Sequence, residues 1–233
     1  TDAGSVSEAS DDNIFIGYSA GGGTWVNQDN SHCIGIGTST LEGALQGNYT
    51  DGTIAIGHSA LNALTTGAGN MAIGYNALLA HTTGARNMAI GYGAMDGTAG
   101  DADDAPASID NIFVGFDAGG GDWENDEDSN YNVGIGNYCM DAAMDDANNN
   151  TAVGHLSMTT LTSGDSNTGI GHSSLTALTA GLNNVAVGAL AGDAIAAGNN
   201  NTFIGKGADG AADVSGQIAI GYQATTSVLE CIA

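Results

Sequence analysis

The chain has 233 residues and sets 2 Lys and Arg against 26 Asp and Glu, a formal charge of −24, so its field repels phosphate backbones and anionic lipids and excludes nucleic acid as a partner. Gly 38 against Pro 1, with 12% charged and 6% aromatic residues, departs from an average globular mixture and points to a regular, tightly turned backbone. No apolar run reaches the roughly eighteen residues that a membrane span needs, so no membrane insertion is expected.

Thr1 to Ser10 lack the basic and apolar regions of a signal peptide, so an export signal or anchor is expected outside the sequence. Residues 1–12 read as an N-terminal segment or cap. From there the chain aligns with itself. Twelve segments begin at Asn13, Cys33, Thr53, Asn70, Asn87, Asn111, Asn132, Asn150, Asn167, Asn184, Asn201 and Gln217. Three residues into each stands a β-branched residue followed by Gly: Ile16, Ile36, Ile56, Ile73, Ile90, Val114, Ile135, Val153, Ile170, Val187, Ile204 and Ile220. Asn, then an apolar residue or Thr, then a small residue or Phe, then Ile, is a short strand with two residues on one face.

Seven residues after the start each copy has a small side chain, such as Ala60, Ala77 or Ser174, and Leu or Met commonly follows, as Leu41, Leu61, Leu78, Met95, Met140, Met158 and Leu175. These are expected to fill a core beside an inward Ile ladder, with Leu64, Leu161, Leu178 and Ile195 as a third apolar position. The commonest spacing, seventeen residues, is too short for helix pairs but enough for one β-coil. The expectation is an all-β parallel solenoid of about twelve coils, about 55 to 60 Å long at the inter-strand spacing. Asn70, Asn87, Asn150, Asn167, Asn184 and Asn201 are expected to stack as an amide ladder, with Ile73, Ile90, Val153, Ile170, Val187 and Ile204 as its apolar counterpart. The other reading is that Asn only suits the turn.

A longer repeat divides the rod. Asp12 to Trp25 reappears as Asp110 to Trp123. The chain therefore reads as a five-coil block over 13–110, its duplicate over 111–200, two further coils over 201–224 and a tail over 225–233. The duplicated insertions carry Trp25 and Trp123, candidate contacts for a sugar or protein, or else caps on the core beneath them. Asp101, Asp103 and Asp104 in one insertion, and Asp122, Glu124, Asp126, Glu127 and Asp128 in another, form oxygen-rich clusters that suit Ca²⁺; a solvated acidic surface is the alternative.

His58, His155 and His172 share one coil position with Tyr18, Tyr75, Tyr92, Phe116 and Tyr222, which reads as a semi-buried column of planar side chains rather than a metal site. Cys33, Cys139 and Cys231 are odd in number and lack zinc spacing. Cys33 and Cys139 stand five coils apart, too far to pair within one chain, and read as small buried hydrophobes, with interchain bonds near a threefold axis as the alternative. No Ser, His and Asp set has a nucleophile's context, and no paired carboxylates line a cleft. An enzyme is therefore not expected, and no cofactor is required beyond a possible role for Ca²⁺.

The run Asn167 to Gly181, NTGIGHSSLTALTAG, resembles the repeats of bacteriophage tail-fibre proteins and is similar to the shorter repeats of YadA-like trimeric autotransporter adhesin heads. The resemblance spans Asn13 to Ala224. It implies a left-handed β-roll with three chains around one axis, on a virion or cell surface, attaching to a host glycan or protein receptor. The alternative is a structural subunit that polymerises end to end into an extracellular filament or coat, since open solenoid ends leave strand edges to pair.

Overall fold

The computed structural model describes residues 12–23, 31–43, 50–98, 107–123 and 128–226. Twelve three-residue strands follow one another: β1 Ile14–Ile16, β2 Ile34–Ile36, β3 Ile54–Ile56, β4 Met71–Ile73, β5 Met88–Ile90, β6 Ile112–Val114, β7 Val133–Ile135, β8 Thr151–Val153, β9 Thr168–Ile170, β10 Val185–Val187, β11 Thr202–Ile204 and β12 Ile218–Ile220. They form one sheet whose spatial order is the sequence order. Every pairing resolved between neighbours is parallel and in register, Met71 opposite Met88 and Ile73 opposite Ile90 for example. The result is a parallel β-solenoid of twelve strands, with about eleven turns between the first and the last.

Each strand ends because Gly follows it in a conformation that L side chains rarely adopt. Gly74 has φ 143°, and a Cβ there would run into the backbone carbonyl of Gly91 on the next coil. The chain then turns through further left-handed residues, including Leu61 (φ 49°), Leu78 (φ 52°) and Leu175 (φ 49°). Such conformations cost a non-Gly residue about 1–2 kcal/mol. They are held because the coils bond to one another beyond the strands too, as in Leu61 N–H to Ala77 C=O at 3.0 Å and Thr65 N–H to Thr82 C=O at 2.8 Å.

The core is assembled from columns. The middle residue of each strand points inward, as Ala55, Ala72, Ala89, Ala152 and Ala186, all buried. Behind it stand Ala60, Ala77 and Ala94, then Leu61, Leu78, Met95 and Met158, then Leu64, Leu161, Leu178 and Ile195. Where the middle residue is Phe its neighbours shrink. Phe113 sits opposite Gly134, and a Cβ on Gly134 or on Gly119 would strike its ring.

The structure corrects the placement of the Ile and Val column. Ile73, Ile90, Val153, Ile170, Val187 and Ile204 stack in register as a continuous ladder, but on the outside of the coil. Ile16 is 58% exposed, Ile170 41% and Ile220 66%. The coil is narrow, so the strand face carrying mostly Ala or Gly fits inward against the Leu and Met column, and the face carrying the bulkier, mostly β-branched residues is left outside.

Candidate functional site

The Asn column lies inside the solenoid wall. Asn70, Asn87, Asn111, Asn132, Asn150, Asn167, Asn184 and Asn201 are buried, yet every amide is engaged. The Oδ1 of Asn150 accepts the backbone N–H of Asn167 at 2.9 Å and its Nδ2–H at 3.0 Å, while Asn167 Nδ2 also donates to Gly181 C=O at 2.8 Å. Asn184 repeats this on Asn167 and Gly198. Asn87 takes the backbone bond on Asn70 and donates to Ser108 C=O, and Asn201 does the same with Asn184 and Val214. Asp could not supply the donors and Gly could not supply the acceptor. The column therefore does more than tolerate a turn.

His81 replaces a core Leu beside this column. Its Nδ1 is 3.1 Å from Thr98 Oγ1, whose hydroxyl donates to Met95 C=O, so Nδ1–H donates to Thr98, while Nε2 faces the Asn87 Nδ2 donor at 3.4 Å, the pattern of a neutral ring. Burial lowers its pKa to about 4. The sequence signal for this is its alignment with Leu64 and Leu161, eleven residues into their coils.

Two exposed columns run along the rod. The first is the outward sheet face, with Ile14, Ile112 and Ile218 in the first strand position and the Ile and Val ladder in the third. The second is the planar column. His58, Tyr75, Tyr92 and Phe116 stack in series with centroids 4.9, 4.9 and 5.2 Å apart. Tyr138 meets Phe116 and His155 edge-on, and His155 stacks on His172 at 5.4 Å. The rings are exposed rather than semi-buried, Tyr75 by 44% and Tyr92 by 51%. Because ring faces are turned to their neighbours, the column offers mainly ring edges to solvent.

Trp123 is 2% exposed and packs edge-on against Phe113 at 5.8 Å. It caps the core under its own insertion and is not an exposed contact. Trp25, Asp101, Asp103, Asp104, Glu124, Asp126 and Glu127 lie outside the described residues, as do Cys231, residues 1–11 of the expected cap and the tail from 227. Asp122 and Asp128 are exposed. Among the described residues no group of three or more His, Cys, Asp or Glu is arranged to hold a metal ion. Cys33 and Cys139 are free and buried, and burial pushes the Cys139 thiol up to about 12.

A carboxylate group that the repeat alignment passed over stands on three successive coils. Burial, then the charges of Asp117 and Asp96, raise Asp141 to about 6. Burial and then Asp117 raise Asp96, and burial raises Asp117. Asp96 and Asp141 each follow the core Met of their coil, Met95 and Met140, which is the pattern that could have found them.

No family model matches the chain, and neither a curated protein nor a solved structure does.

Proposed function

We propose that the chain is a non-enzymatic fibre segment of the tail-fibre or adhesin kind, on a virion or cell surface, which attaches to a host glycan or protein receptor. The observation that carries this reading is the outward sheet face, apolar at the third position of all twelve strands and at the first position of nine, with Thr151, Thr168 and Thr202 in the others, over about 50 Å at the inter-strand spacing. Contiguous apolar surface of that extent marks an interaction surface in a soluble protein. A second and third copy of the chain cover it best, because a face repeating at every coil is complementary to itself at every coil. In this reading the coils are left-handed, three chains share one axis, and the duplicated insertions supply receptor recognition. Calcium held by the acidic insertions offsets the self-repulsion of a chain with a charge of −24.

A second reading, end-to-end polymerisation into a filament or coat, is favoured by the two sheet ends. Among the described residues β1 and β12 each have one strand neighbour, and the terminal rings Tyr18 and Tyr222 are 69% and 71% exposed.

Light scattering with negative-stain microscopy, at low and high salt and with and without calcium, separates the readings. A compact rod of three chains, reduced to single chains by Ile170→Glu with its far-UV spectrum retained, is the expected result. Filaments that survive Ile170→Glu would favour the second reading, and a soluble single chain at all concentrations would overturn both.

A further inference from the structure

We propose that His155 and His172 form a two-imidazole chelate for a divalent transition metal such as Cu²⁺, Ni²⁺ or Zn²⁺, with water completing the coordination. The two residues occupy the same position on neighbouring coils, two residues beyond the paired Val153 and Ile170. Their backbones are fixed by the ladder: Ser173 N–H donates to His155 C=O at 2.9 Å, and Leu190 N–H donates to His172 C=O at 2.9 Å. Both rings are exposed, and among the described residues neither makes a hydrogen bond or ion pair, so their nitrogens are open to a ligand.

The separation fits. A metal bound about 2.1 Å from each imidazole nitrogen holds two cis ring centres roughly 5 Å apart, and these lie 5.4 Å apart. The rings are now nearly parallel, at 13°, and must swing about their Cβ–Cγ bonds to aim at one point, a motion that exposure leaves free. The net charge of −24 raises the local cation concentration. Imidazole pairs favour late first-row metals, Cu²⁺ most, over the oxygen-seeking Ca²⁺.

The other three histidines lack this arrangement. His81 is buried, His32 faces Asp12 at 3.8 Å, and His58 has Tyr75 on one side and bonds Ser59 Oγ at 2.9 Å.

The test is a Cu²⁺ titration of the full chain by calorimetry and electron paramagnetic resonance, with excess Ca²⁺ present to occupy carboxylate sites. His155→Gln, His172→Gln and the double variant are compared with wild type, and His58→Gln serves as control. The expected result is one site per chain, a coupling pattern from two nitrogens, a loss of at least tenfold in affinity in either single variant, and no change in the control. All the altered side chains are exposed, so unchanged melting curves verify folding. Wild-type affinity within threefold of the double variant, or a two-nitrogen signal that persists in it, would overturn the proposal.

Discussion

Asn150 and Asn167 are joined twice through one atom: the Oδ1 of Asn150 receives both the backbone N–H and the side-chain amide of Asn167, at 2.9 and 3.0 Å. With Asn167 Nδ2 also on Gly181 C=O, replacing Asn167 by Ala removes two donated side-chain bonds and the acceptor that Asn184 uses. Buried groups left unpaired cost about 1–3 kcal/mol each, so Asn167→Ala is expected to destabilise by several kcal/mol. Asn167→Asp is expected to cost at least as much, because a carboxylate there faces the Asn150 and Gly181 oxygens. Denaturant midpoints at pH 7 check this. A loss below about 0.5 kcal/mol, the level of an ordinary surface change, would mean the amides merely fill a turn.

Phe113 and Gly134 exchange volume across paired strands. Gly134→Ala places a methyl group against the Phe113 ring, and overpacking of this kind costs about 1–3 kcal/mol. In Gly134→Ala with Phe113→Leu the clash is relieved, so the pair should be less destabilised than the sum of its single variants. A double-mutant cycle with coupling of at least about 0.5 kcal/mol is expected. Strict additivity would show that the two sites do not share one space.

His81 gives the solenoid an acid limit. Its folded pKa, about 4, lies below the ordinary 6.5, so the neutral ring is the form the fold prefers. The stability it contributes is full above pH 6.5 and is lost as pH falls from there towards 4, where the unfolded chain binds a proton that the fold does not. His81→Leu restores the side chain found at this coil position in Leu64 and Leu161. Thr98 keeps its bond to Met95 C=O, and Asn87 keeps Ser108. The variant should match wild type within about 1 kcal/mol at pH 8 and exceed it at pH 5, by melting temperature. An unchanged difference across that range would place the titration elsewhere.

Much of the fold was legible because each coil repeats the same local solution: Asn to bond between coils, a β-branched residue for the strand, Gly where only Gly fits. Period two placed Met71 and Ile73 on one face. It could not say which face was inside, because Ala72 and the Ile residues are both apolar, and only the width of the coil decides. The left-handed backbone at Leu61 and Leu175 was hidden for another reason. Leu rarely takes that conformation, and inter-coil hydrogen bonds, not local preference, hold it. At the candidate surfaces, the stacking of His58, Tyr75, Tyr92 and Phe116 followed from register alone. The burial of Trp123 did not, since its Gly-rich surroundings fit a cap and an exposed contact equally.

Asp141 works against His81 in the same pH range. Burial, then Asp117 and Asp96, raise its folded pKa to about 6 from 3.8, so the protonated form is the one the fold prefers. Its contribution is full below pH 3.8 and is lost as pH rises through 6. At neutral pH the chain therefore carries a carboxylate that the fold disfavours, and between pH 4 and 6.5 the two losses run in opposite directions, that of half-buried Asp141 offsetting part of that of fully buried His81. Asp141→Asn removes one of them. The variant should melt higher than wild type at pH 7, by under about 1 kcal/mol since the group is only half-buried and solvent screens it. The gain should shrink towards zero at pH 4 and fall with added salt at pH 7, because its Coulombic part is screened over about 8–10 Å. It should also leave the acid loss from His81 uncovered, as a steeper fall in stability below pH 6. If Asp141→Asn melted lower than wild type at pH 7, the carboxylate's bond to the backbone N–H of Gly120 would outweigh its repulsion, and the cluster would be a source of stability instead of a cost.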